Sequence, residues 1–124
     1  MQHKRVLVVD DEADIREIAS ASLELMYGWD VITATNAKEA VEIASRTEVD
    51  AILLDVMMPD MDGPTAFAVL RNTSPGGTPV ILLTAKVQPA DRQRYMQIGV
   101  QGVIAKPFDP VRLADTVAEI LGWS

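Results

Sequence analysis

The chain reads as an α/β domain, a parallel β-sheet with helices on both faces. Three observations predict this. Short apolar, β-rich runs alternate with helix-periodic stretches along all 124 residues. Runs such as Ala51-Ile52-Leu53-Leu54 are apolar throughout, as strands buried on both faces are. Four of the runs end in polar groups: Val6–Val9 in Asp10-Asp11, Ala51–Leu54 in Asp55, Val80–Leu83 in Thr84, and Val103–Ala105 in Lys106-Pro107.

The elements follow in order. Residues 4–9 predict a first strand. Residues 12–26 carry Ile15, Ile18, Ala19, Ser22 and Met26 at helical spacing, and Gly28 ends that pattern. Residues 29–33 predict a shorter strand, opened by Trp29 with its ring at an edge. Asn36 is a fitting N-cap for a helix that buries Ala37, Ala40, Val41 and Ala44. Residues 50–54 are the next strand. Pro59 breaks the chain, and Asp62-Gly63-Pro64 starts a helix with Pro64 near its first position. Ser74-Pro75-Gly76-Gly77 is a loop. A strand at 79–83, a helix at 89–98 bounded by Pro89 and Gly99, and a strand at 101–104 come next. The last helix spans 109–121, capped by Asp109 ahead of Pro110, with Leu113, Val117, Ile120 and Leu121 inward.

Composition narrows the function. A chain of this length fits one domain. The absence of cysteine excludes disulfides and thiolate metal sites. No apolar run nears the roughly 20 residues that span a bilayer, and the stretch after Met1–Arg5 is too short for a signal peptide. A cytoplasmic protein that does not engage membrane is the expectation. The formal net charge of −7, with no basic cluster beyond Lys4-Arg5, disfavours direct nucleic-acid binding.

In open parallel sheets ligands bind beyond the carboxyl ends of the strands. Three carboxylates, a hydroxyl and an ammonium gathered there suit a divalent cation and a phosphoryl group. Close carboxylates cannot all stay ionised unaided, and all-oxygen donors favour magnesium. Asp11 and Asp55 are the candidate direct ligands, with Asp10 holding a water. Asp55 is the candidate nucleophile for an acyl phosphate. Lys106 and Thr84 would face the phosphoryl oxygens. Each residue alone has a structural alternative: an N-cap for Asp11, a strand-end turn for Asp55, a structural hydroxyl for Thr84, a solvated loop charge for Lys106. Their joint placement at successive strand ends weighs towards one site.

In order and spacing, Val8-Val9-Asp10-Asp11-Glu12, Leu53–Gly63, Leu83-Thr84-Ala85 and Lys106-Pro107-Phe108 resemble the receiver domain of two-component response regulators, of the single-domain chemotaxis-regulator kind. The resemblance runs from Lys4 to Leu121. It implies one receiver domain over residues 1–124, doubly wound and flavodoxin-like, with strand order 2-1-3-4-5. It implies that Asp55 accepts a phosphoryl group from a histidine kinase or histidine phosphotransfer protein. It implies Mg2+ (or Mn2+) held by Asp11, Asp55 and the Met57 carbonyl, and through water near Asp10, with Thr84 and Lys106 as catalytic partners. A cis Lys106–Pro107 peptide is implied too. The expected product is a signalling switch that catalyses its own phosphorylation and dephosphorylation, not a metabolic enzyme. Its downstream protein would dock on the face of the last two helices and the fifth strand, which also serves phosphorylation-dependent dimers. Tyr95 and Met96 are candidates for that face, with core packing an equal alternative for Met96. Lys86 and Met57 lie where the family varies its dephosphorylation rate.

The chain departs from the family at Val103, where an aromatic residue is usual. Valine is stiff at χ1 and cannot make the family's rotamer swing. Output through displacement of the 85–90 loop is the expectation in its place. Two other readings stay open: a pseudo-receiver that binds partners without phosphorylation, and a phosphohydrolase of the haloacid-dehalogenase type. The latter wants an acid at Met57 and a cap the sequence lacks. His3 reads as a surface residue. Trp123 has three readings: exposed, covering the last helix, or leading into a further segment.

Overall fold

A computed structural model of the chain describes residues 3–73, 77–85 and 88–123. Lys86 and most of the Ser74–Gly77 loop lie outside them, as does part of the 85–90 loop. The elements alternate: β1 (Arg5–Val9), α1 (Ala13–Tyr27), β2 (Asp30–Ala34), α2 (Ala37–Arg46), β3 (Ala51–Asp55), α3 (Gly63–Thr73), β4 (Val80–Thr84), α4 (Pro89–Gln97), β5 (Gly102–Ala105) and α5 (Leu113–Leu121). All strand pairs are parallel, in the order β2-β1-β3-β4-β5. This is the flavodoxin-like fold that the resemblance implied. Among the described residues no helix is long and apolar enough to cross a membrane.

Side chains alternate across a strand, so each central strand feeds two cores. Leu7, Val9, Ile52, Leu54, Leu82 and Val103 face one way, into a layer that includes Ala40 and Ile43 of α2, Phe67 and Leu70 of α3, and Tyr95 of α4. Val6, Val8, Leu53, Ile81, Leu83 and Ile104 face the other way, against Ala19 and Leu23 of α1 and Leu113 and Val117 of α5. Burial on both faces is why β3 and β4 read as unbroken apolar runs.

Several expectations are corrected. The buried face of α1 is Ala19, Ser22 and Leu23, while Ile18 and Met26 are 42% and 44% exposed. Ala19 and Ser22 of the expected stripe do turn inward, the Ser22 hydroxyl donating to the Pro110 carbonyl, and Leu23 joins them. On α2, Ile43 is buried and Val41 is half-buried. Asn36 does cap α2, accepting from the Glu39 N–H at 2.8 Å. The last helix starts at Leu113, not at 109. Asp109 instead closes a separate turn, its carboxylate accepting from the Val111 N–H at 2.9 Å and its carbonyl from the Arg112 N–H at 3.0 Å.

Tyr95 is buried in the core, not on a partner face, whereas Met96 is exposed. Trp29 precedes β2 and is fully buried. Trp123 covers it edge-on, with ring centroids 5.1 Å apart, and the Lys4 ammonium lies 4.8 Å from the Trp123 ring centroid. Exposed His3 pairs with Asp30 at 3.0 Å.

Candidate phosphoryl and cation site

Register places the site. Val9 pairs with Leu54, so the next residues, Asp10 and Asp55, end up side by side where β1 and β3 stop. Alternation puts Asp10 on the face of Val6 and Val8, and Asp55 on the face of Leu53. Lys106 follows β5 on the face of Gly102 and Ile104. These three charged groups therefore converge on the α1–α5 side of the sheet. Thr84 ends β4 in the row of Val80 and Leu82, facing the α4 side, and is buried.

The Lys106 ammonium bridges the pair, 2.7 Å from Asp10 Oδ2 and 3.0 Å from Asp55 Oδ1. Glu12 Oε1 is 3.8 Å from it. Asp10 Oδ1 accepts from the Glu12 N–H at 2.9 Å, and Asp55 Oδ1 accepts from the Met57 N–H at 3.3 Å. Asp10 and Asp55 are buried, and Asp11 is exposed at the mouth. One carboxylate oxygen from each of Asp10, Asp11 and Asp55 lies within 4.8 Å of the others. Met57 is 64% exposed beside them. The Lys106–Pro107 peptide is cis.

Burial first, and then the neighbouring Asp10 carboxylate, push the Asp55 carboxyl above the ordinary 3.8, although Lys106 pulls the other way. For Lys106 burial favours the neutral amine, but its hydrogen bonds to Asp10 and Asp55 outweigh that and hold it above 10.5. Three carboxylates against one ammonium leave an excess of negative charge at an all-oxygen cluster. That donor set fits a hard divalent cation.

The loop after β3 is tightly closed. The Gly63 N–H donates to the Val56 carbonyl at 2.9 Å, Met57 and Asp62 form an antiparallel bridge, and Asp62 Oδ1 accepts from the Thr65 N–H at 2.8 Å. The hydrogen bonds it accepts from Thr65 hold the Asp62 carboxyl below its ordinary range. Two of the groups around the site, Arg16 and Asp60, were not picked out from the sequence, and Asp62 was read only as part of a helix start. Arg16 donates to the Asp10 carbonyl at 2.8 Å; a cation in the first turn of a helix, against the dipole, was its signal. Asp60 and Asp62 had a weaker signal, as acids in a proline-broken loop. A wider concavity of about 690 Å³ beside Trp29 and Asp30 lies at the opposite end of the strands and brings none of these groups together.

Residues 6–118 match the family model of the response regulator receiver domain. The probable transcriptional regulator ycf27 of Porphyridium aerugineum is 38% identical over 121 residues, which is 98% of this chain and 49% of that protein. The alkaline phosphatase synthesis transcriptional regulatory protein PhoP of Bacillus subtilis is 37% identical over 119 residues, again 49% of its length. The chain thus spans about half the length of these curated relatives. Among solved structures, the chemotaxis response regulator CheY4 of Vibrio cholerae superposes with a TM-score of 0.87 at 33% identity, covering 96% of this chain and 99% of that one. The family-model match over residues 6–118 and the identity to these relatives show it: the chain belongs to the response regulator receiver domain family.

Proposed function

We propose that residues 1–124 form one receiver domain whose Asp55 accepts a phosphoryl group and so switches partner binding. The observation that carries this is the Lys106 ammonium bridging Asp10 and Asp55 within a cluster of three carboxylates. Asp11, Asp55 and the Met57 carbonyl would hold Mg2+ or Mn2+, with Asp10 acting through a water. When bound, the cation would neutralise the excess charge and polarise phosphoryl oxygens.

The chain's own groups do the rest. The Met57 N–H orients the Asp55 carboxylate, which stands at the end of a strand buried along its whole length. Its oxygen attacks the phosphorus of a phosphohistidine on a histidine kinase or phosphotransfer protein. The new O–P bond forms as the P–N bond breaks, and the imidazole leaves with the bonding pair. Lys106 neutralises charge on the transferred group, and the Thr84 hydroxyl contacts it from the other side of the strand ends. The phosphorylated form is then favoured by a partner that binds it better. That partner docks on the α4–β5–α5 face, where dimerisation would also occur. The switch acts in the cytoplasm and, with a charge of −7, binds no nucleic acid by itself.

Intact mass after incubation with acetyl phosphate tests this. One phosphoryl adduct that requires both Mg2+ and Asp55, and is absent from Asp55→Ala, is expected. No adduct from a folded wild-type protein would favour a pseudo-receiver instead.

A further inference from the structure

The N-terminus of α2 is closed by a residue far along the chain. The first amides of a helix have no partner within it. Here Asn36 takes the Glu39 N–H, and Asp60 takes two more, with Oδ1 3.4 Å from the Ala37 nitrogen and Oδ2 3.2 Å from the Lys38 nitrogen. Asp60 lies in the loop that carries Met57. At its other end that loop is tied to itself through Val56, Asp62 and Gly63. The helix N-terminus favours a negative charge, so Asp60 is drawn towards α2 and away from the acidic cluster.

We infer that Asp60 is a positioning residue: by fastening the β3–α3 loop to the first turn of α2, it fixes the Met57 peptide for the cation. The inference rests on the reading of the site given above. Asp60 adds a tie to α2 beyond the bonds inside the loop and the bond from the Val56 N–H to the Leu83 carbonyl of β4 at 3.1 Å. Without Asp60 the tie to α2 is lost, and the Met57 carbonyl is held less firmly in one direction. Groups that orient metal ligands typically set metal affinity by an order of magnitude or more.

Mg2+ titrations followed by backbone amide NMR shifts test it on four proteins: wild type, Asp60→Ala, Asp60→Asn and Asn36→Ala. Asn36→Ala weakens the same helix cap without touching the loop, so it reports the purely structural effect. Asp60→Ala is expected to weaken Mg2+ about tenfold, Asn36→Ala to leave its affinity unchanged, and Asp60→Asn to fall between, since its amide oxygen still accepts. In the wild type the Ala37 and Lys38 amides should shift with the metal. Equal Mg2+ affinity in wild type and Asp60→Ala would overturn the clamp while leaving the site reading intact. Equal weakening in Asn36→Ala, or an Asp60→Asn protein as weak as Asp60→Ala, would overturn it too. A wild type that binds no Mg2+ would remove the site reading and the inference with it.

Discussion

Lys106 Nζ lies 3.0 Å from Asp55 Oδ1, across 51 residues of sequence, and it is the one cation within ion-pair distance of Asp55 among the described residues. Removing one member of a buried ion pair leaves the other uncompensated. In low-metal buffer Lys106→Met should therefore lose roughly 3–5 kcal/mol. Mg2+ should restore part of that loss by taking over the neutralisation. Urea unfolding with and without Mg2+ measures both effects. A variant as stable as wild type without metal would show that the ammonium is not what holds the carboxylates together.

The raised Asp55 carboxyl gives stability a pH dependence in the metal-free protein. Its native form takes up a proton at higher pH than the unfolded chain does, chiefly because burial disfavours the carboxylate. The associated stability is full below the unfolded value of 3.8 and is lost as pH rises through the native value. Asp55→Asn has no such loss, so its advantage over wild type should open as pH rises above about 4. Mg2+ should close the gap by stabilising wild type more strongly. Lys106 acts in another window: its raised value keeps its contribution intact up to 10.5, with loss at higher pH. Thermal melts of the two proteins from pH 3 to 8 would decide the Asp55 effect, and parallel curves would refute it.

Much of this site was legible because β3 and β4 are buried on both faces and end abruptly in Asp55 and Thr84. Their polar ends stand out against an apolar run without any knowledge of partners. Local rules failed where a distant residue decided the outcome. Asp109-Pro110 has the sequence of a helix start, yet the Pro110 carbonyl is engaged by Ser22 of α1 and the segment turns before α5 begins. On α1 the inward face runs through Ala19, Ser22 and Leu23, which leaves Ile18 exposed. Asp60 carried only the weak signal of an acid in a proline-broken loop, because its partners, Ala37 and Lys38, lie 23 and 22 residues away. Nor does spacing alone show that Thr84 faces the opposite side of the sheet from Asp55; that follows from counting alternation along paired strands.

Gly63 and Gly102 make a matched pair of tests. A Cβ on Gly63 would lie 2.9 Å from the Val56 Cα, a backbone atom that cannot step aside. One on Gly102 would lie 2.7 Å from Ile120 Cγ2, a branch methyl that moves only with χ1, which a helix restricts. Gly63→Ala should thus cost about 1–3 kcal/mol by forcing the β3–α3 loop apart, and it should weaken Mg2+ binding as the Met57 peptide shifts. Gly102→Ala should carry a comparable cost but leave Mg2+ affinity unchanged, because the atom it meets lies on α5 and not on the β3–α3 loop. Chemical unfolding and metal titration of both variants would test the contrast, which a neutral Gly63→Ala would contradict.

Val103 bears on how the switch reports. It continues a row across the sheet, Val9–Leu54–Leu82–Val103, beneath α4. It is buried in the same core cluster as Tyr95 of α4, which is 3% exposed. A stiff valine has no swing to make. A change begun at Thr84 would then reach the surface through α4 and register at Tyr95. The chain has two tyrosines, and the other, Tyr27, ends α1, where its hydroxyl bonds to Asp115. Fluorotyrosine labelling therefore gives two 19F signals. Adding beryllofluoride and Mg2+ should shift the Tyr95 signal and leave Tyr27 in place, with single-tyrosine variants making the assignment. A Tyr95 signal that stays fixed while the ligand is bound would mean that α4 does not carry the change.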